Sequence, residues 1–168
     1  MPLLGSKIET QRELYLHQLG AALTMENTIL EMLPQLEELA RNAQLQQALR
    51  RHREETEEHV RNLERVFAVL GDQPDDSPCP AIEGLEKESQ STLKMVDDSL
   101  NDDVILSVVC ETEYHEVAVY EGLIVKAAAM GEQDVVGLLH ENLKSEQEAL
   151  QQAMQMSQQL AQRETLAV

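Results

Sequence analysis

Glu26, His52, Glu55, Glu113, Glu116 and Glu146 combine residue types and spacings that can do metal chemistry. His52/Glu55 and Glu113/Glu116 are each three positions apart, so on a helix each pair projects two donors from one face. Carboxylate oxygens with one or two imidazoles suit iron or manganese better than zinc. No thiolate joins them: Cys79 and Cys110 are far apart and match no CxxC pattern, which favours neither a disulfide scaffold nor a zinc site. Nothing in the spacing assigns a catalytic residue.

These residues stand where a core is expected. Read at alternating spacings of three and four, one stripe runs Leu16, Leu19, Leu23, Glu26, Leu30, Leu33. A second runs Leu45, Leu49, His52, Thr56, His59, Leu63, Val66, Leu70, with Glu55 at its edge. A third runs Leu106, Val109, Glu113, Glu116, Tyr120, Leu123, Ala127, and a fourth Val136, Leu139, Leu143, Glu146, Leu150, Ala153. A single acid in one stripe is ordinarily a solvated edge residue. Here all four stripes are apolar at both ends and broken near mid-helix, so in an antiparallel bundle the breaks meet in one layer. A buried unpaired ion costs several kcal/mol, and no Lys or Arg interrupts the stripes. Two divalent cations would set +4 against −5 from Glu26, Glu55, Glu113, Glu116 and Glu146. The expectation is two Fe or Mn ions per chain. Glu54, Glu57, Glu58, His17, His115 and His140 fall off the stripes, and Met25, Met32, Met95, Met130, Met154 and Met156 read as packing residues.

The elements that must position this layer follow from punctuation. Gly71 and Gly131 are helix stops, and residues 70–80 hold three prolines and a glycine, which makes a loop. Asn42 can cap a following helix, and Ser6–Glu9 and Thr10–Glu13 both fit the capping box. The pattern predicts helices over about 8–40, 43–70, 102–130 and 133–162, with Pro34 kinking or ending the regular part of the first. Residues 71–101 form a crossover containing a polar helical stretch at about 80–98. Two antiparallel hairpins joined by one long crossover is the ferritin-like connection of an all-α four-helix bundle, here one domain over 1–168.

Composition agrees. The chain has 168 residues, 42% apolar but only 2% aromatic, as suits helix packing. Asp and Glu number 31 against 13 Lys and Arg, a net charge of −18. Such a surface repels phosphate backbones and anionic membranes and favours cations as guests. A nucleic-acid-modifying enzyme is therefore disfavoured. No stretch approaches a membrane span, and neither a charged leader nor a long apolar run opens the sequence, so a cytoplasmic protein is expected. A homodimer is compatible with a bundle of this size.

The segments "LTMENTILEMLP", "HREET", "CPAIEGL", "EYHEVAVYEGL" and "ENLKSEQ" resemble, in the same order, the YciF-like family of ferritin-like bacterial proteins, over about residues 12–155. The resemblance implies a stress-associated protein with a ferritin- or rubrerythrin-like fold and a dinuclear metal site. Carried over, it implies direct ligand roles for Glu26, His52, Glu55, Glu113, Glu116 and Glu146. Where the family commonly reads Glu-His-Tyr-Glu, this chain has Glu-Tyr-His-Glu at 113–116. A histidine role at 114 is thus lost, and His115 points about 100° away. His59 is an additional imidazole, standing behind a ligand or in place of one. Tyr120 either packs, or hydrogen-bonds a bound molecule or donates an electron. The functional expectation is redox chemistry with O₂ or peroxide. The alternative is a non-enzymatic metal-binding or stress-linked interaction bundle with a structural or vestigial metal.

Overall fold

A computed structural model describes residues 7–165, and the candidate capping residue Ser6 lies outside them. Among the described residues every regular element is helical: α1 (Gln11–Leu39), α2 (Ala43–Val69), α3 (Pro80–Met95), a 3₁₀ turn (Asp98–Leu100), α4 (Asn101–Ala129) and α5 (Gln133–Thr165).

Local chemistry sets the helix ends. Thr10 caps α1 reciprocally with Glu13: the Glu13 N–H donates to Thr10 Oγ1 at 3.1 Å, and the Thr10 N–H donates to Glu13 Oε2 at 3.0 Å. Asn42 Oδ1 accepts from the N–H groups of Gln44 and Leu45. Pro34 does not stop α1, which continues to Leu39. At the ends of α2 and α4, Gly71 and Gly131 adopt φ of 72° and 80°. The N–H groups of Asp72 and Glu132 then reach back to the carbonyls of Phe67 and Ala127, each at 3.0 Å. This closes each helix with a left-handed residue that only glycine adopts freely.

Two hairpins result, α1/α2 and α4/α5, and they pack through α2 on α5 and α1 on α4. The crossover runs the length of the molecule. At one end Arg12 pairs with Asp72 at 2.6 Å, holding the exit from α2 against the start of α1. At the other, the Arg41 N–H donates to Asp102 Oδ1 at 2.8 Å and Asn101 Nδ2 donates to the Leu39 carbonyl at 3.2 Å, so α4 begins beside the α1–α2 turn. The polar crossover stretch is α3, which rests on α4 and α1 with Ile82 fully buried.

Leu19, Leu63, Phe67, Ile105 and Leu139 anchor the core. Met25 and Met32 pack there as expected. Met95, Met130 and Met154 instead are exposed, because they sit at helix ends or on outward faces. In α5 it is Val135, rather than Val136, that is fully buried, so the first turn of that stripe is rotated by one residue. No helix among the described residues is long and apolar enough to cross a membrane.

Candidate metal centre

The four long helices each deliver polar side chains to the middle of the core. Glu26, Glu116 and Glu146 are fully buried, Glu113 is 1% exposed, and His52 and His59 are 7% and 3% exposed. Their donor atoms form two overlapping groups that could hold a metal ion: His52, Glu113, Glu116 and Glu146 in one, and Glu26, His59 and Glu146 in the other. Glu146 is common to both.

Of the six residues singled out by spacing, the fold brings together Glu26, His52, Glu113, Glu116 and Glu146. It leaves Glu55 at the edge, 35% exposed. Glu55 Oε1 lies 3.4 Å from Arg51 Nε and its Oε2 lies 3.6 Å from His52 Nδ1. His59, set aside as an additional imidazole, stands inside the layer instead. Its Nδ1 is 2.7 Å from Glu146 Oε1 and 3.7 Å from Glu26 Oε2. On the other side His52 Nε2 is 3.0 Å from Glu113 Oε1. Tyr114 is exposed, and His115 is half-buried on another face, 3.9 Å from Cys79 Sγ.

The close approaches of imidazole to carboxylate are not aligned as hydrogen bonds. Both oxygens of Glu116 and of Glu146, one each of Glu26 and Glu113, both nitrogens of His52, and His59 Nδ1 are buried without a hydrogen-bond partner. Each such atom costs about 1–3 kcal/mol in an ordinary core. Concentrated in one layer, these orphaned oxygens and nitrogens are a donor set of the hard, carboxylate-rich kind that iron or manganese prefers. The residues present therefore fit a metal.

Without metal, protons must balance the charge. Burial, with Glu146, Glu26 and Glu113 nearby, holds Glu116 well above the usual carboxylate range. Burial and Glu26 push Glu146 up to about 7, although His59 pulls the other way. Burial opposes charge on His59, but Glu146 and Glu26 outweigh it and raise its pKa to about 10. His52 is likewise raised, since Glu113, Glu55 and Glu146 together overcome the burial penalty. Contact with His52 lowers Glu55, the exposed member of the set.

A polar network backs the Glu26 side, and the stripes alone did not reveal it. The Tyr120 hydroxyl donates to Glu26 Oε1. Asn142 Nδ2 donates to the Tyr120 oxygen at 3.0 Å and to the His59 carbonyl at 3.2 Å. Asn62 Nδ2 donates to Asn142 Oδ1 at 2.9 Å, and Arg65 Nη1 donates to Asn62 Oδ1 at 3.0 Å. A sequence signal existed: Asn62 follows His59 by three residues and Asn142 precedes Glu146 by four, so each shares a helix face with a buried site residue.

Comparison with known proteins adds a family and a fold. Residues 10–166 match the family model described as "Domain of unknown function (DUF892)". The structure of YcfI from Rhodopseudomonas palustris is 35% identical and superposes with a TM-score of 0.86, covering 90% of this chain and 97% of that one. The E. coli stress protein YciF is 22% identical with a TM-score of 0.84, covering 89% and 96%. A protein from Xanthomonas campestris pv. campestris is 20% identical with a TM-score of 0.73, covering 93% and 99%. The last two, at their low identity, show a shared fold alone. No curated protein matches the sequence.

Proposed function

The chain belongs to the DUF892 family, and on that footing we propose that its buried carboxylate–imidazole layer is a dinuclear iron or manganese centre within a single ferritin-like four-helix bundle. The observation that carries this reading is the convergence of His52, Glu113, Glu116 and Glu146 with Glu26 and His59, through a shared Glu146, while most of their donor atoms have no hydrogen-bond partner. One ion would be held by His52, Glu113 and Glu116, the other by Glu26 and His59, and Glu146 would serve both. Glu55 would complete the first set by turning inward from its contact with Arg51.

Bound iron or manganese supplies one-electron chemistry with O₂ or peroxide as partner. The chain's own contribution is to hold the ligands, exclude water and fix Glu26. Tyr120 occupies one oxygen of Glu26 as a hydrogen-bond donor, so its other oxygen is the free one. The charge of −18 supports a cation as partner over nucleic acid or an anionic membrane.

Elemental analysis of protein purified without added metal tests the assignment, with close to two iron or manganese ions per chain expected. A second measurement tests redox use. Protein loaded with Fe(II) anaerobically and then given air or peroxide should develop ferric absorption in the near ultraviolet faster than Fe(II) in buffer. Iron that loads at two per chain but oxidises no faster than in buffer would make the metal structural.

A further inference from the structure

Beside the buried layer lies a narrow cleft of about 30 Å³ in the α2/α5 seam, floored by α4. Leu49, Val109, Ala149 and Ala153 are among its walls, and His52 and Glu113 stand at its inner end. At the rim, Arg51 Nη2 donates to Gln152 Oε1 across the seam, and Arg51 also pairs with Glu55. A second small cavity shares Leu45, Leu106 and Met156 with this one and extends the seam toward the start of α2. The opposite flank of the layer, around Tyr120 and Asn142, carries the amide network.

The geometry points to this cleft as the route by which a small uncharged molecule of dioxygen size reaches the His52/Glu113 side of the site, with the Arg51–Gln152 bridge as its outer latch. This rests on the metal-centre reading and adds which side of that centre is approached and by what class of molecule. Size and polarity select the occupant. A space of about 30 Å³ admits molecules of two or three heavy atoms and excludes larger organic substrates. The walls are predominantly apolar, so they favour a neutral guest and penalise an anion. Of the candidate ligands, only Glu55 stands on this side within reach of solvent, so its movement would open or fill a coordination position facing the cleft.

Nitric oxide is the probe, added to the anaerobically Fe(II)-loaded protein and followed by stopped-flow absorption. Ala153→Phe fills the inner cleft and should slow nitric oxide association at least tenfold while iron per chain stays at the wild-type value. Ala149→Leu, at a half-buried wall position that tolerates the larger side chain, should slow it several-fold. Gln152→Ala removes the latch and should speed association; a rate equal to the wild-type value would mean that the bridge does not gate the cleft. Xenon pressurisation of metal-free crystals supplies a metal-independent readout: xenon should sit between Val109 and Ala153, and Ala149→Leu should lower its occupancy. If the protein loads iron and both filled variants bind nitric oxide at the wild-type rate, the route is wrong and the metal reading stands. If wild-type protein takes up no iron, the metal reading falls and takes the route with it.

Discussion

On one flank of the carboxylate layer, Glu26 and His59 stand among buried amides and a tyrosine; on the other, His52 and Glu113 face apolar side chains and a cleft. The first flank is over-determined. Tyr120, Asn142, Asn62 and Arg65 form an unbroken series of donors ending on Glu26. Such a network holds a side chain in one position because any displacement strands a buried polar group. The second flank is under-determined. His52 has no hydrogen-bond partner on either nitrogen, and Glu55 leans toward Arg51 and solvent. The contrast teaches that one buried donor layer can be asymmetric by construction, with one half held by a hydrogen-bond network and the other left adjustable.

The largest expected effect breaks both flanks at once. Glu146→Ala removes the residue common to both donor groups and should reduce metal content to near zero, read by elemental analysis after dialysis. Glu26→Ala should cost only the ion on the rigid flank and leave about one per chain. Glu57→Ala, on the exposed face of α2, should leave loading unchanged. Equal loading in all three variants would dissolve the two-flank description.

Next in size is the pH dependence of the metal-free protein. Glu116, Glu146, His52 and His59 all bind protons more tightly folded than unfolded. Each therefore contributes stability that is complete below its unfolded pKa and is lost as pH rises through its folded pKa. For Glu146 that window runs from 4.5 to about 7, and for His59 from 6.5 to about 10. The Tm of chelator-treated protein should fall steadily from about pH 5 to about pH 10. Metal loading displaces the same protons, so affinity should rise with pH and binding should acidify a weakly buffered solution. A Tm that climbs over this range would mean that the buried groups are charged without difficulty.

Tyr120→Phe sharpens the rigid flank alone. It leaves Glu26 Oε1 and Asn142 Nδ2 short of a partner in a dry core and should cost the metal-free fold about 2 kcal/mol by denaturant unfolding. The smallest effect belongs to the yielding flank. Glu55→Ala removes a half-exposed ion pair and should change metal-free stability by less than about 1 kcal/mol. It should nonetheless weaken loading at the His52 side, measured by competition with a chelator. A Glu55→Ala loss as large as that of Tyr120→Phe would erase the difference between the flanks.

Much of the site was legible because helical periodicity is a strict rule. Glu26, His52, Glu113, Glu116 and Glu146 all stand on apolar stripes, and all are buried. The different burial of Glu55 and His59 shows the limit. From His52, the 100° step places His59 about 20° around the helix and Glu55 about 60° in the same sense. Both positions are compatible with a stripe of ordinary width. The packing of α5 on α2 buries the nearer one, while Arg51 offers the farther one a partner toward solvent. The stripes hold no Lys or Arg, and only the structure shows how near the imidazoles come to the acids: His52 Nε2 lies 3.0 Å from Glu113 Oε1 and His59 Nδ1 lies 2.7 Å from Glu146 Oε1.

The sequence by itself determined the helices, their stops and the faces they bury, because these depend on residues three or four apart and on glycines that can take a positive φ. It also determined that acids and imidazoles must lie on those buried faces. Only the tertiary structure decided which oxygen meets which nitrogen, that Asn142 and Asn62 link Tyr120 to Arg65, and that an apolar cleft opens beside His52. Those outcomes join residues from different helices: Tyr120 and Glu26 are 94 positions apart, and Asn62 and Asn142 are 80. No local rule spans such distances. They are set by how four helices share one interior, where each side chain takes the space and the partners that its neighbours leave.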